Sequence, residues 1–269
     1  MSVDSRSSIG IFDSGIGGLA VVNTISRVLE QENLMYVADS KNFPYGTKTK
    51  NQIAQFSERI TRLLLKKDVK AIIVACNTVS SIAMPLLKEI SYPVPVFGMI
   101  QSGAILAVKT TKNKKIGVIS TPLTAASHAY KKEIRKLDDS IEVFEIGSQR
   151  MVNLVENGNK TRERAYELVK GKLQSVISAK IDTLVLGCTH FPFLDKVVKN
   201  VVGKDVKVVD PADELVLKLG EFLKLNNLIN KSLGINTRKF FTTGRKEEFL
   251  IKAKLFLDDF PKEVHKLDV

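Results

Sequence analysis

Short apolar runs alternate with amphipathic stretches along the whole chain, which is typical of α/β proteins with mainly parallel sheets. At 53–65, Ile53, Phe56, Ile60 and Leu64 recur at helical spacing, so this stretch is predicted to be an amphipathic helix. Further helices are predicted at 214–223 and 246–257. Nine runs have the length and composition of strands: 8–12, 34–38, 71–75, 94–98, 115–119, 141–145, 183–187, 206–209 and 239–242.

A weak internal repeat favours two similar lobes. The run IGIFDS at 9–14 resembles IGVIST at 116–121, and each run is followed by three more strands and one cysteine. The predicted fold class is therefore α/β, with two similar doubly wound lobes of mainly parallel sheet and the active site in the cleft between them. Lobe one is predicted to comprise 1–98 plus 210–269, and lobe two 99–209.

Composition and charge narrow the possible partners. The 269 residues are 44% hydrophobic, enough for a sizeable core, and carry a formal charge of +12. The lysines are dispersed rather than arranged in a stripe with aromatic residues, which favours a solvated basic surface that attracts an acidic metabolite over nucleic-acid binding. The sequence contains no apolar run near the ~18 residues that suggest a membrane helix. The two cysteines fit neither a disulfide framework nor a zinc cluster, so we expect a cytoplasmic protein with reduced thiols.

The turn after the first strand has two functional interpretations. Gly15-x-Gly17-x-x-Ala20 satisfies the dinucleotide-binding fingerprint, and Asp39 closes the next strand, where a ribose-binding acid would lie. Asp13 counts against a nucleotide, because its carboxylate would lie beside an anionic pyrophosphate.

The second interpretation of this turn is a cradle for a small anion. Ser14 and the glycine amides at a helix N-terminus can hold a substrate carboxylate, with Asp13 assisting a neighbouring acid or base. The alternative to both interpretations is a purely structural role for the turn, in which the glycines allow a tight turn and Asp13 caps the helix.

Each of the two cysteines directly follows a buried-looking strand. Cys76 precedes Asn77-Thr78, and Cys188 precedes Thr189-His190. A buried cysteine is usually inert packing, but two in the same polar setting at helix starts favour reactive thiols. A Cys188–His190 pair for acyl transfer is conceivable, yet it leaves Cys76 without a role.

Four segments in this order resemble a known family. They are Asp13-Ser14-Gly15-x-Gly17-Gly18, Pro44-Tyr45-Gly46, Ala75-Cys76-Asn77-Thr78 and Gly187-Cys188-Thr189-His190-Phe191-Pro192. Together they are similar to glutamate racemase, within the cofactor-independent aspartate/glutamate racemase superfamily. The resemblance runs from about Ile9 to Asp210.

The resemblance implies a two-base racemisation of glutamate that needs no cofactor and no metal. Cys76 would act on the D enantiomer and Cys188 on the L enantiomer, on opposite faces of Cα. Asp13 would assist Cys76, and His190 would assist Cys188. Glu156 matches a further acidic residue of the family's site, although it can also be an ordinary carboxylate at a helix end.

The resemblance also implies which residues bind substrate and what the protein is for. Groups that hold the substrate carboxylates and ammonium would come from Asp13, Ser14, Tyr45, Gly46, Asn77, Thr78, Thr121, Thr124, Thr189 and His190. The partners would be L- and D-glutamate and a second copy of the chain in a homodimer, with no membrane, and the product would supply peptidoglycan synthesis. An aspartate or hydantoin racemase, a dinucleotide-binding protein and a basic nucleic-acid- or gyrase-binding protein are the alternatives.

Overall fold

The computed structural model describes residues 3–158, 162–232, 236–257, 261 and 263–268. The chain forms two compact units. Unit 1 comprises Met1–Gly98 and Leu215–Val269, and unit 2 comprises Met99–Glu214. Among the described residues, no helix combines the length and the apolar character needed to cross a bilayer.

The first part of unit 1 alternates strands and helices, as the hydrophobic pattern predicts. Its elements are β1 (Ile9–Asp13), α1 (Leu19–Val28), β2 (Leu34–Ala38), a 3-10 helix (Tyr45–Thr47), α2 (Lys50–Leu65), β3 (Ala71–Val74), α3 (Asn77–Ile82), α4 (Met84–Ser91) and β4 (Val96–Gly98). Helix α2 begins three residues before the predicted stretch because Thr49 and Gln52 form a capping box at its start.

Unit 2 repeats this alternation. Its elements are α5 (Met99–Thr110), β5 (Lys115–Ser120), α6 (Pro122–Ser127), α7 (Ala129–Leu137), β6 (Glu142–Gly147), α8 (Gln149–Glu156), α9 (Arg162–Ser178), β7 (Thr183–Gly187), a 3-10 helix (Phe191–Leu194), α10 (Asp195–Val202) and β8 (Lys207–Val209). Its core packs apolar side chains of α5 and α7 against one face of the sheet, with Tyr130 fully buried among them.

Helix α11 (Pro211–Leu225) contains the second boundary between the units. It includes the predicted 214–223 and begins directly after Asp210, the predicted start signal, whose Oδ1 accepts a hydrogen bond from the backbone N–H of Ala212. Unit 1 then resumes with β9 (Arg238–Thr242), α12 (Lys246–Phe256) and β10 (His265–Lys266). The segment that follows α11 is anchored by Asn230, which is buried and hydrogen-bonds Glu32 and the carbonyl of Gln31.

Both sheets are parallel, and their strand orders match. The first sheet runs β10-β9-β2-β1-β3-β4 and the second β6-β5-β7-β8, so the order β2-β1-β3-β4 recurs in unit 2. Strands β1, β2, β3 and β7 are buried along their whole length, which explains their continuous apolar sequences. The predicted class, two α/β units with parallel sheets, is confirmed. The topology also places Cys76 and Cys188 after equivalent strands, β3 and β7.

Candidate active site

Asp13 ends β1, and its side chain turns into the loop that follows. The carboxylate is fully buried, and its Oδ2 accepts a hydrogen bond from the backbone N–H of Gly18 at 2.8 Å. Gly18 immediately precedes α1, so the Asp13 carboxylate already accepts a hydrogen bond from one of the backbone N–H groups that would bind the pyrophosphate of a dinucleotide. This geometry disfavours the dinucleotide interpretation of Gly15 and Gly17.

Tyr36 fixes the same turn from the neighbouring strand β2. Its buried hydroxyl donates a hydrogen bond to the carbonyl oxygen of Gly15 at 2.6 Å. A Cβ added to Gly18 would lie 2.7 Å from the Cβ of Asp13 and 2.8 Å from the Tyr36 hydroxyl. Glycine is therefore required at 18 for the close approach of the turn to Asp13 and Tyr36.

Cys76 lies beside this turn because β3 pairs with β1. Its Sγ is 3.7 Å from the Ser14 hydroxyl oxygen, and its side chain is buried. The cysteine is the residue before α3, and its carbonyl accepts a hydrogen bond from the N–H of Ser80. Asn77 and Thr78 form the first turn of α3 and are buried with it.

The Tyr45–Thr47 3-10 helix packs against α3 and belongs to the same cluster. Tyr45 is buried, and Gly46 is half-buried. Burial raises the pKa of Tyr45 far above its usual range, and the negative charges of Asp39, Cys76 and Asp13 raise it further. Tyr45 therefore lies within electrostatic reach of both Cys76 and Asp13.

In unit 2, three side chains form a chain of contacts that starts at Cys188. The Sγ of Cys188 is 3.7 Å from Nδ1 of His190, and Nε2 of His190 is 2.7 Å from Oε1 of Glu156. Cys188 and His190 follow β7, whereas Glu156 is the last residue of α8, a helix that packs on the Phe191–Leu194 turn. Cys188 and His190 are buried and Glu156 is half-buried, with 9% of its side chain exposed, so these groups interact with little screening by water.

The pKa of His190 reflects these two partners. Burial by itself favours the neutral imidazole, but hydrogen bonds to Cys188 and Glu156 and the charges of both outweigh it and raise the pKa to about 10. When Cys188 is a thiolate, the raised pKa favours a protonated His190 at neutral pH, with one N–H directed at the sulfur and the other at the Glu156 carboxylate. A protonated imidazole in this position stabilises a negative charge on Cys188.

The threonines of unit 2 lie at the same edge of the sheet. Ser120 and Gly187 are partners in the β5–β7 register, so Thr121 and Cys188 leave neighbouring strands side by side. Thr121 caps α6, and its hydroxyl contacts that of Thr124 at 2.9 Å. Thr121, Thr124 and Thr189 are all buried.

The predicted site residues thus form one group in each unit. Unit 1 brings together Asp13, Ser14, Tyr45, Gly46, Cys76, Asn77 and Thr78, and unit 2 brings together Thr121, Thr124, Glu156, Cys188, Thr189 and His190. Sequence analysis missed Tyr36, although a tyrosine within the aliphatic run 34–38 is a usable signal of a buried hydroxyl with a partner. Within the described part of the chain, no three His, Cys, Asp or Glu side chains are grouped so as to hold a metal ion.

Comparison with known proteins places this chain in a family. The family model for Asp/Glu/Hydantoin racemase matches residues 9–219. The glutamate racemase of Thermoanaerobacter pseudethanolicus is 36% identical over 99% of both chains. Among solved structures, glutamate racemase isoform RacE1 of Bacillus anthracis is 33% identical over 98% of both chains, with a TM-score of 0.94. A Francisella tularensis glutamate racemase solved with D-glutamate is 32% identical over 98% of both chains, with a TM-score of 0.92.

The chain therefore belongs to the Asp/Glu/Hydantoin racemase family and, within it, to the glutamate racemases. The resemblance stated from the four sequence motifs is confirmed, and so is the prediction of an isomerase.

Proposed function

We propose that this protein interconverts L- and D-glutamate by a two-thiol mechanism that uses no cofactor. The observation that carries the proposal is the repeat: each unit has a buried cysteine after an equivalent strand, and each cysteine has its own polar partner. The bound D-glutamate of the Francisella tularensis relative supports the choice of substrate.

In the D-to-L direction, the Cys76 thiolate removes the α-proton, so the Cα–H bond breaks and an S–H bond forms. Cys188, as a thiol, delivers its proton to the opposite face of Cα and is left as a thiolate. Protonated His190, 3.7 Å from that sulfur, stabilises the charge that develops there, and Glu156 holds the imidazole in place. The roles of the two thiols exchange in the L-to-D direction.

The carbanion-like transition state requires strong stabilisation, because the α-proton of an amino acid is only weakly acidic. Hydroxyl and amide groups of Ser14, Asn77, Thr78 and Thr189 are proposed to hold the α-carboxylate and ammonium. The turn at Tyr45 and Gly46, with Thr121 and Thr124, is proposed to complete the binding of the carboxylates. Because these groups are buried or half-buried, their dipoles act at low dielectric constant.

The wider role follows from the reaction. We propose that the protein is cytoplasmic, that D-glutamate from this reaction supplies peptidoglycan synthesis, and that the chain acts as a homodimer. Sedimentation at micromolar concentration tests the dimer, and restored growth of a D-glutamate-dependent bacterium tests the supply role.

Substrate profiling separates the proposed function from its relatives. Purified, reduced protein is incubated in turn with L- and D-glutamate, L- and D-aspartate and a 5-substituted hydantoin, and loss of circular dichroism is recorded. Racemisation of both glutamate enantiomers well above the other compounds is expected. Faster racemisation of aspartate or of the hydantoin would move the assignment to another branch of the family.

A pH profile tests the Cys188–His190–Glu156 chain. Catalysis needs protonated His190, so kcat/KM is expected to fall as pH rises through the pKa of about 10. Glu156→Gln removes one of the charges that raise this pKa, and the alkaline limb is expected to move down by about 1–2 pH units. Glu133→Gln, at a surface ion pair with Lys136, is the control that leaves the limb in place. If the alkaline limb of the kcat/KM profile stays at the wild-type pH in Glu156→Gln, then Glu156 does not raise the pKa of His190.

Isotope effects test the assignment of Asp13 to Cys76. The equilibrium constant between enantiomers is one, so any variant lowers kcat/KM equally in both directions. Asp13→Asn keeps an oxygen for the Gly18 amide but removes the carboxylate charge that is proposed to assist Cys76, so proton removal by Cys76 is expected to be slower. A larger kinetic isotope effect is therefore expected with α-deuterated D-glutamate than with the L enantiomer. Equal isotope effects would assign Asp13 to neither thiol.

A further inference from the structure

Asp39, the residue after β2, is a buried carboxylate held by neutral donors. Its Oδ2 accepts hydrogen bonds from the Tyr45 hydroxyl at 2.5 Å and from the Asn42 amide at 3.0 Å. Its Oδ1 accepts from the Thr243 hydroxyl at 2.6 Å and from the same Asn42 amide at 3.1 Å. Only 2% of the residue is exposed. Burying a carboxylate is costly, so such a set of donors indicates a specific role.

These donors come from distant parts of unit 1. The backbone N–H of Asp39 donates to the carbonyl of Asp13, which joins the backbone of Asp39 to the end of β1. Thr243 follows β9, 204 positions further along the chain. Its hydroxyl donates to Asp39 and accepts from the N–H of Lys41, and its own N–H donates to the carbonyl of Ala38. The Asp39 carboxylate therefore links the loop after β2 to the segment after β9, and the backbone of Asp39 adds the contact with β1.

Tyr45 is the member of this network nearest to the proposed chemistry. Its ring packs on Phe56 with centroids 5.8 Å apart, and its short helix contacts α3, which begins with Asn77 and Thr78. The raised pKa keeps the phenol protonated, so Tyr45 remains a donor to Asp39. The phenol hydroxyl is thus committed to Asp39, and the carbonyl of Tyr45 accepts a hydrogen bond from the N–H of Lys48. The backbone N–H groups of Tyr45 and Gly46 are the groups of this turn that can act on a ligand carboxylate.

We propose that Asp39 is a positioning residue of the racemase. Its carboxylate clamps Tyr45, and thereby the Tyr45–Gly46 turn, to the end of β2 and to Thr243, so that the turn is preorganised for a substrate carboxylate. Asp39 touches no substrate itself. The inference rests on the proposed function, because it takes Tyr45 and Gly46 as binding groups. It also gives Asp39 a role other than ribose binding, since both its oxygens are already used by Tyr45, Asn42 and Thr243.

The test compares steady-state constants for D-glutamate in Asp39→Asn, Tyr45→Phe and the double variant. Each single change is expected to raise KM about tenfold while kcat changes less than about threefold, because the loss is in binding geometry. Since Asp39 acts through Tyr45, the double variant is expected to be no worse than Asp39→Asn alone. Tyr92→Phe, which removes an exposed hydroxyl, is the matched control and should leave both constants unchanged.

A second pair of variants keeps the proposal testable if Asp39→Asn does not fold. Thr243→Val removes the far donor and is expected to raise KM, whereas Thr243→Ser keeps the hydroxyl and should restore the wild-type value. Additive effects in the double variant, or an unchanged KM in Tyr45→Phe and Thr243→Val, would overturn the role of Asp39. Absence of glutamate racemisation by the wild-type protein would instead overturn the proposed function, so the two failures are distinguishable.

Discussion

Replacing either Cys76 or Cys188 with serine is expected to lower kcat for glutamate racemisation at least about a thousandfold in both directions. An alcohol is a far weaker acid than a thiol, so serine neither removes the α-proton nor stabilises the charge left after donating one. In the proposed mechanism both cysteines are required in each direction, because one acts as base while the other acts as acid. Circular dichroism of each enantiomer over time gives the rates.

The controls for this prediction concern folding and assembly. Serine is close to cysteine in size, so the unfolding midpoint of each variant should stay within about 4 °C of the wild type. Mixing the two variants should restore no activity if both thiols of a site belong to one chain. Near-full activity in either single variant would refute the two-thiol mechanism.

Lys70→Met is expected to destabilise unit 1 by about 3–5 kcal/mol, because it leaves the charge of Glu32 buried without its partner. The Nζ of Lys70 is 2.5 Å from Oε2 of Glu32, and neither side chain is more than 2% exposed. The ammonium also donates hydrogen bonds to the carbonyls of Ser5 and Leu228. It therefore holds the N-terminal segment and the segment after α11 against the start of β3. Urea unfolding followed by circular dichroism measures the loss.

Two further variants test whether the loss of stability in Lys70→Met comes from the buried ion pair. Adding Glu32→Gln to Lys70→Met removes the uncompensated charge and should recover part of the stability. Arg62→Met breaks an exposed ion pair with Glu58 and should change the free energy of unfolding by no more than about 1 kcal/mol. A loss of that small size in Lys70→Met would show that the buried pair contributes little.

The fold was predictable because its strands and helices follow from local, periodic patterns of hydrophobic residues. The strands at 34–38 and 183–187 have the predicted bounds, since each is an apolar run between polar residues. The repeat of IGIFDS at 116–121 anticipated the shared strand order of the two sheets. Ends set by capping were harder to place, as at the start of α2, because a side-chain hydrogen bond decides them.

The residues of the candidate site could be predicted where they belong to recognisable sequence motifs. Asp13, Cys76, Cys188 and His190 lie in short segments whose order identifies the family, and the Cys188–His190 contact joins near neighbours in sequence. The supporting contacts were not predictable, because they join residues far apart in the chain. Asp39 with Thr243, and Lys70 with Leu228, are brought together only by the order of strands in the sheet. A lone Asp or Lys in the sequence carries no sign of such a partner.

The most direct test of the central claim is the reaction of D-glutamate in D2O, followed by NMR of the α-proton together with optical rotation. Two bases on opposite faces predict that the L-glutamate formed early carries solvent deuterium at Cα, while the remaining D-glutamate keeps its proton. Rotation should fall to zero with no cofactor added. Deuterium entering the remaining D-glutamate as fast as the product would contradict the two-base mechanism, and no exchange with either enantiomer would contradict the racemase function itself.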